Sequence, residues 1–227
     1  MLPELLRSAR RTAGLTQQRA ADRLGVSQAY LALIESGRRP ATARLVPRLA
    51  KLYRLGPTVL PLETGRVEAW RPARLAAAIA SLGYPGFRQL RRGAPRNPAL
   101  VLLSSIATSD LEVRIVEALP WLVVEYRGLD WDWLIREAKL RDLQNRLGFV
   151  VTLARQVVEK RGDTSAAARL RGIGEILDHA RLAREDTLCQ ASLSDAERRW
   201  LRQARTVEAS HWNLLTDLNT GVLPYAA

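Results

Sequence analysis

The chain has 227 residues, is 47% hydrophobic and carries a formal charge of +12, so it has apolar content enough for a buried core and is not a disordered polymer. Its one cysteine, Cys189, excludes an internal disulfide and fits a reducing compartment with an inert, buried thiol. No apolar run precedes a cleavage site, and no window approaches about 18 uninterrupted apolar residues, so a cytoplasmic protein is expected.

The charge is unevenly placed. Residues 1–56 hold eleven Lys or Arg against three acids and residues 57–98 hold seven against two, whereas the remaining 129 residues hold 17 against 18. A polyanion is therefore the expected partner of the front of the chain alone.

In chain order, Pro3 to Ala13 place Leu5, Leu6 and Ala9 on one helical face, with Arg7, Arg10 and Arg11 elsewhere. Thr16 is suited to cap a second helix through Leu24, and Ser27 a third from Gln28 to Ser36, ended by Gly37. Gly25 sits at the tight turn between them, Ala21 is small where they must touch, and Leu31 and Ile34 face inward. A fourth helix starts near Pro47, since proline is tolerated in a first turn, and Gly56 and Pro57 close the unit.

This stretch resembles the XRE family, the Cro and phage-repressor type of helix-turn-helix, over residues 2–56. Arg10, Thr16, Gln17, Ala21, Gly25, Gln28, Ile34 and Glu35 stand where that pattern places them. The resemblance implies a lambda-repressor-like domain, gives Gln28, Ala29 and Tyr30 the base-reading roles, and pairs Arg10 with Glu35 to tie the first helix to the end of the third. A glutamine amide can pair bidentately with adenine, an alanine methyl can touch a thymine methyl, and a tyrosine can do apolar or hydroxyl work. Gln17, Ser27, Arg38 and Arg39 suit phosphates, Gln17 being near a helix N-terminus that already favours anions. Two departures stand out: Ala20 is smaller than the usual leucine, and Leu33 replaces a polar residue that often extends base contact. Modest specificity from one copy follows, and a homodimer on two half-sites about 34 Å apart is the default way to recover affinity.

Residues 57–98 hold six of the eleven prolines and read as a Pro-rich basic connector with one short helix near Ala73 to Leu82. Its Arg88, Arg91, Arg92 and Arg96 either extend a DNA footprint or form a solvated linker. Residues 99–227 read as helix upon helix. VLLSSI is a short buried helix; a Ser109/Glu112 capping box precedes LEVRIVEALPWLVVEY; Asp130 caps WDWLIREAKLRDL. Further helices are expected over Asn145 to Lys160, Ser165 to Arg184, after a Ser194/Glu197 capping box, and over Ala209 to Leu218. Trp121 to Tyr126 also fits a strand. The whole is an all-α fold: a helix-turn-helix domain followed by a larger α-helical domain for oligomerisation or binding a partner protein.

Five of the six tryptophans, Trp121, Trp131, Trp133, Trp200 and Trp212, lie in this second part, either as core packing or, for an exposed one, as a protein interface. His179 and His211 lack a second ligand at metal spacing, there is no GxSxG or phosphate loop, and Gly172-Ile173-Gly174 is an incomplete dinucleotide fingerprint. The Asp130 and Asp132 pair suits a helix N-terminus, with Asp142 beside it as an alternative acidic site. No enzyme, cofactor or metal is expected. A transcriptional regulator, most simply a repressor, is the first reading. An antitoxin-like protein whose second domain sequesters a partner protein is the alternative, and a small-molecule sensor is a third possibility.

Overall fold

The computed structural model describes residues 3–62 and 70–226, which fall into two units, Met1–Leu62 and Glu63–Ala227. Met1, Leu2, Ala227 and residues 63–69 of the expected connector lie outside the described residues. The fold is all-α.

The first unit contains α1 (Pro3–Thr12), α2 (Gln17–Leu24), α3 (Gln28–Glu35) and α4 (Val46–Leu52). The Thr16 hydroxyl accepts from the Arg19 N–H at 3.2 Å and the Ser27 hydroxyl from the Tyr30 N–H at 3.1 Å, each satisfying a donor that its helix leaves unpaired. Between α2 and α3, Gly25 takes φ +61°, a left-handed conformation that a side chain resists. Leu6, Ala20, Ala21, Leu24, Leu31, Ile34 and Leu49 form the core. Ala20 and Ala21 are both fully covered, so the small residues are what lets α2 lie close to its neighbours.

The second unit begins inside the expected connector. Far from being a linker, residues 70–98 carry α5 (Pro72–Ser81) and a 3₁₀ segment at Pro85–Leu90, and they bury Trp70, Leu75, Ile79, Tyr84 and Phe87. The proline content misled because three of these prolines, Pro72, Pro85 and Pro98, each open a helical turn, where a missing N–H costs nothing. α6 (Pro98–Ile106), capped by Asn97, is buried along its whole length at the centre of the unit. It packs on α5, α7 (Val113–Glu125) and α8 (Trp131–Lys139). The segment Trp121 to Glu125 is helical, which removes the strand alternative. The expected Ser109/Glu112 capping box does not form. Residues 109–111 are extended instead, with the Leu111 N–H donating to the Cys189 carbonyl at 2.9 Å and the Ala191 N–H to the Ser109 carbonyl at 3.0 Å.

The long α9 (Gln144–Lys160) packs on α7 and on α10 (Thr164–Asp178). α10 ends well before Arg184, because the chain leaves the helix to form a two-residue parallel ladder of β1 (Asp186–Thr187) and β2 (Leu214–Leu215). The ladder shortens the last expected helix as well: only α12 (Val207–His211) forms, after α11 (Asp195–Ala204) with its Ser194/Glu197 capping box. Trp212 is buried flat against Gly148, where any Cβ would overlap the indole, and donates its N–H to the Thr152 hydroxyl at 2.9 Å.

Polar side chains of α9 pin the ladder. Arg146, 8% exposed, pairs side-on with Asp186 through Nε at 2.7 Å and Nη2 at 2.9 Å, and donates to the Ile106 carbonyl at 2.8 Å. Burial works against ionising Asp186, but the Arg146 hydrogen bonds and charge outweigh it and hold the carboxyl below its ordinary range. Asn145 clamps Leu182, accepting from its N–H and donating to its carbonyl, both at 2.9 Å. Cys189 is buried beside this cluster, where desolvation pushes its thiol up to about 12.

Candidate nucleic-acid interface

The front unit joins its buried interior to its surface through one run of polar side chains. Arg10 on α1 and Glu35 at the end of α3 are paired side-on, Nε to Oε1 at 2.7 Å and Nη2 to Oε2 at 3.0 Å. Glu35 is 2% exposed, so its charge requires such partners. The Arg10 guanidinium is held above its usual pKa chiefly by that hydrogen bond, and Arg10 also donates to the Leu15 carbonyl at 2.8 Å. Arg7 adds a bond to the Glu35 backbone carbonyl at 3.1 Å. Beside this pair lies the Tyr53 hydroxyl, buried without a hydrogen-bond partner among the described residues and pushed up to about 12, first by burial and then by the Glu35 charge.

From Glu35 the run continues outward. Gln17 Nε2 donates to Glu35 Oε2 at 3.1 Å, and Gln17 Oε1 accepts from Gln28 Nε2 at 3.5 Å. Gln17 is the first residue of α2 and Gln28 the first of α3, so one amide chain links the starts of both helices to the ion pair beneath. Gln28 and Ala29 are exposed and Tyr30 is half-buried. The Arg39 guanidinium lies 5.2 Å from the Tyr30 ring centre, which steers both side chains and covers one ring face.

The residues expected to meet phosphate are placed differently from one another. Ser27 caps α3 by accepting the Tyr30 N–H at its hydroxyl oxygen, which leaves the hydroxyl hydrogen to donate. Arg38 and Arg39 are exposed just after Gly37, itself left-handed at φ +74°. Gln17 is half-buried and its amide is engaged with Glu35 and Gln28. What remains near Gln17 for an anion is the backbone at the start of α2, whose first N–H groups have no intrahelical acceptor. Leu33, 37% exposed, presents an apolar surface to solvent from the same helix as Gln28.

Three features escaped the sequence reading. Arg7 reinforces Glu35, a role its i, i+3 spacing to Arg10 permits. Arg39 stacks on Tyr30, which no local pattern indicates. Arg48 of α4 lies over the α2–α3 turn, its Nη2 3.5 Å from where a Cβ on Gly25 would stand.

Elsewhere the chemistry-bearing residues remain scattered. His211 Nε2 lies 2.9 Å from Asp178, and His179 bonds the Glu175 carbonyl at 2.6 Å. No group of three or more His, Cys, Asp or Glu side chains able to hold a metal occurs among the described residues. No helix among them is long and apolar enough to cross a membrane.

Residues 2–62 match a family model described as a helix-turn-helix domain, a span that ends where the first unit ends. Two curated proteins, from two strains of Mycobacterium tuberculosis, are each 34% identical over 74 residues, and each is described as an uncharacterized HTH-type transcriptional regulator. The alignments cover 33% of this chain and 53% of each relative, so the chain spans about half the length of the curated relatives it matches. No solved structure matches the chain.

Proposed function

We propose that this protein is a sequence-specific DNA-binding transcriptional regulator of the XRE type, a dimeric repressor that reads an inverted repeat with α3. The observation that carries this reading is the position of Gln28. It is exposed on the first residue of a short helix, and Gln17 and the Arg10–Glu35 pair hold it from behind. A recognition helix enters the major groove N-terminus first, so a pre-oriented amide at that point can present both a donor and an acceptor to adenine. Ala29 and Tyr30 complete the base-facing edge, while Arg38, Arg39, Ser27 and the start of α2 around Gln17 hold phosphates.

Genome-fragment selection with the full chain, run beside Gln28→Ala near physiological salt, tests the proposal. Recovery of one palindromic motif that the variant loses supports it; equal recovery of all fragments by both proteins overturns it. Sedimentation of the protein on that motif reads the stoichiometry, and a single copy per site would remove the dimer.

A second reading, in which the second unit sequesters a partner protein as antitoxins do, draws on one observation: Trp200 is 57% exposed on α11, while Trp121, Trp133 and Trp212 are buried. An exposed indole is unusual outside interfaces.

A further inference from the structure

Residues 70–98 contain six arginines and no acid, on a unit whose remaining residues are close to neutral. These arginines do not lie on a loose linker. Phe87, buried and edge-on to Tyr84 at 5.4 Å between ring centres, anchors one end of the run from Arg88 to Arg96. Asn97, 3% exposed and capping α6, anchors the other. Between these anchors every residue is exposed, and Gly93 turns the chain at φ +80°. Arg96 and Arg74 lie over the Trp70 ring, 5.2 and 4.2 Å from its centre, so two guanidinium groups are fixed on one buried indole.

Arg88, Arg91 and Arg92 form no ion pair among the described residues, and Arg92 shares a groove with Arg114 of α7 and one acid, Glu112. By contrast, several arginines elsewhere in the second unit are paired with acids. Asp163, Glu137, Asp186, Glu159 and Glu185 each hold an arginine. On a loop anchored at both ends and free of acids, Arg88, Arg91 and Arg92 are left to attract phosphate oxygens rather than their own chain.

We propose that the arginine loop of residues 88–96 is a second DNA-binding surface, which grips the phosphate backbone of the duplex whose bases α3 reads. This rests on the DNA-binding reading above. Covalent linkage favours DNA over other polyanions: a duplex held by the first unit stands at high effective concentration before a loop of the same chain. The loop adds affinity without sequence information, which offsets the short list of hydrogen-bonding side chains on α3.

The test is the salt dependence of DNA affinity for the full chain. It compares wild type, Arg88→Gln/Arg91→Gln/Arg92→Gln, and a control with the same charge change at exposed sites outside the loop, Arg169→Gln/Arg184→Gln/Arg199→Gln. Each protein is titrated on the selected motif and on an unrelated duplex, with its melting curve as a check on folding. The loop variant is expected to flatten the slope of log K against log salt by about one for each phosphate that the loop no longer neutralises, on both duplexes. With three phosphates released, the fall in affinity between 50 and 200 mM salt shrinks roughly 40-fold. The control is expected to keep the wild-type slope. An unchanged slope in the loop variant, or an equal change in the control, overturns the proposal and turns these arginines toward an acidic protein partner. Failure of base reading appears separately, as equal affinity of the wild type for both duplexes, and leaves the slope comparison intact. A wild type that binds neither duplex overturns both.

Discussion

Each unit contains an arginine paired side-on with a carboxylate, one partner being buried, Glu35 in the first and Arg146 in the second, and the two pairs have nearly the same geometry: Arg10 with Glu35 at 2.7 and 3.0 Å, Arg146 with Asp186 at 2.7 and 2.9 Å. What differs is where the leftover hydrogen-bonding capacity goes. In the second unit Arg146 spends it on the Ile106 carbonyl, and its neighbour Asn145 on Leu182, so every bond turns inward and fastens the β1–β2 ladder to α9. In the first unit Glu35 passes it to Gln17 and then to the exposed Gln28. On the proposed function, the same kind of pair acts as a staple in one place and as the root of a reading surface in the other. Breaking the staple is expected to change stability alone, whereas breaking the root should change stability and recognition together.

The largest expected effect is on the staple. Asp186→Asn leaves the Arg146 guanidinium buried with its charge unmatched, and urea unfolding of the second unit should show a loss of about 3–5 kcal/mol. Replacing both partners with Arg146→Met and Asp186→Leu should recover most of that loss, since two apolar side chains leave no orphaned charge. The pair also sets an acid limit. The Asp186 carboxyl titrates lower in the folded protein than the ordinary value of about 3.9, so the unfolded chain binds the proton first. The contribution of Asp186 is therefore complete above about pH 5 and is lost as the pH falls through the folded value, and Asp186→Asn should flatten the acid arm of a stability profile.

Glu35→Gln comes next, with about 3 kcal/mol expected from the first unit because Arg10 and Gln17 both bond to that carboxylate and Arg10 loses its counter-charge. Unlike Asp186→Asn, it should also erase preference for the selected motif at temperatures where the domain is still folded. A variant that melts early but reads DNA normally would break the comparison, since Glu35 would then be a staple too.

The two units were unequally legible in the sequence, for reasons visible in these pairs. Arg10, Gln17, Gly25, Gln28 and Glu35 lie within 26 residues at fixed spacings, so a local pattern carries the first unit almost whole. Arg146 and Asp186 are 40 positions apart with no motif between them, and the ladder they fasten is two residues long, too short for any alternation to register. For the same reason the Ser109/Glu112 box looked sound: nothing local announces that residues 109–111 pair with 189–191. The prolines of 70–98 misled in the opposite way. Composition assigned to a linker what position assigns to helix starts.

Gln28→Ala tests the outer end of the root and should leave melting unchanged, because the amide is exposed. Competition binding between the selected motif and a one-base variant should show a loss of about 1–3 kcal/mol of discrimination. Arg38→Ala, in contrast, should weaken both duplexes alike.

The smallest effect is the most diagnostic. The bond between Gln28 and Gln17 is 3.5 Å long, at the edge of what counts as a hydrogen bond, so Gln17→Ala should cost only about 0.5–1 kcal/mol of discrimination. Whether that small loss is the same loss measured at Gln28 is a question for the double variant. If Gln17 acts by holding the Gln28 amide in place, removing it matters only while Gln28 is present, and the two single losses should exceed the double loss by the whole Gln17 loss, about 0.5–1 kcal/mol. If Gln17 acts independently, through a phosphate at the start of α2, the losses should add, and they should fall on every duplex rather than on the motif alone. The first result makes recognition at the surface an extension of the buried Arg10–Glu35 pair; the second confines that pair to the role Arg146 and Asp186 play in the other unit.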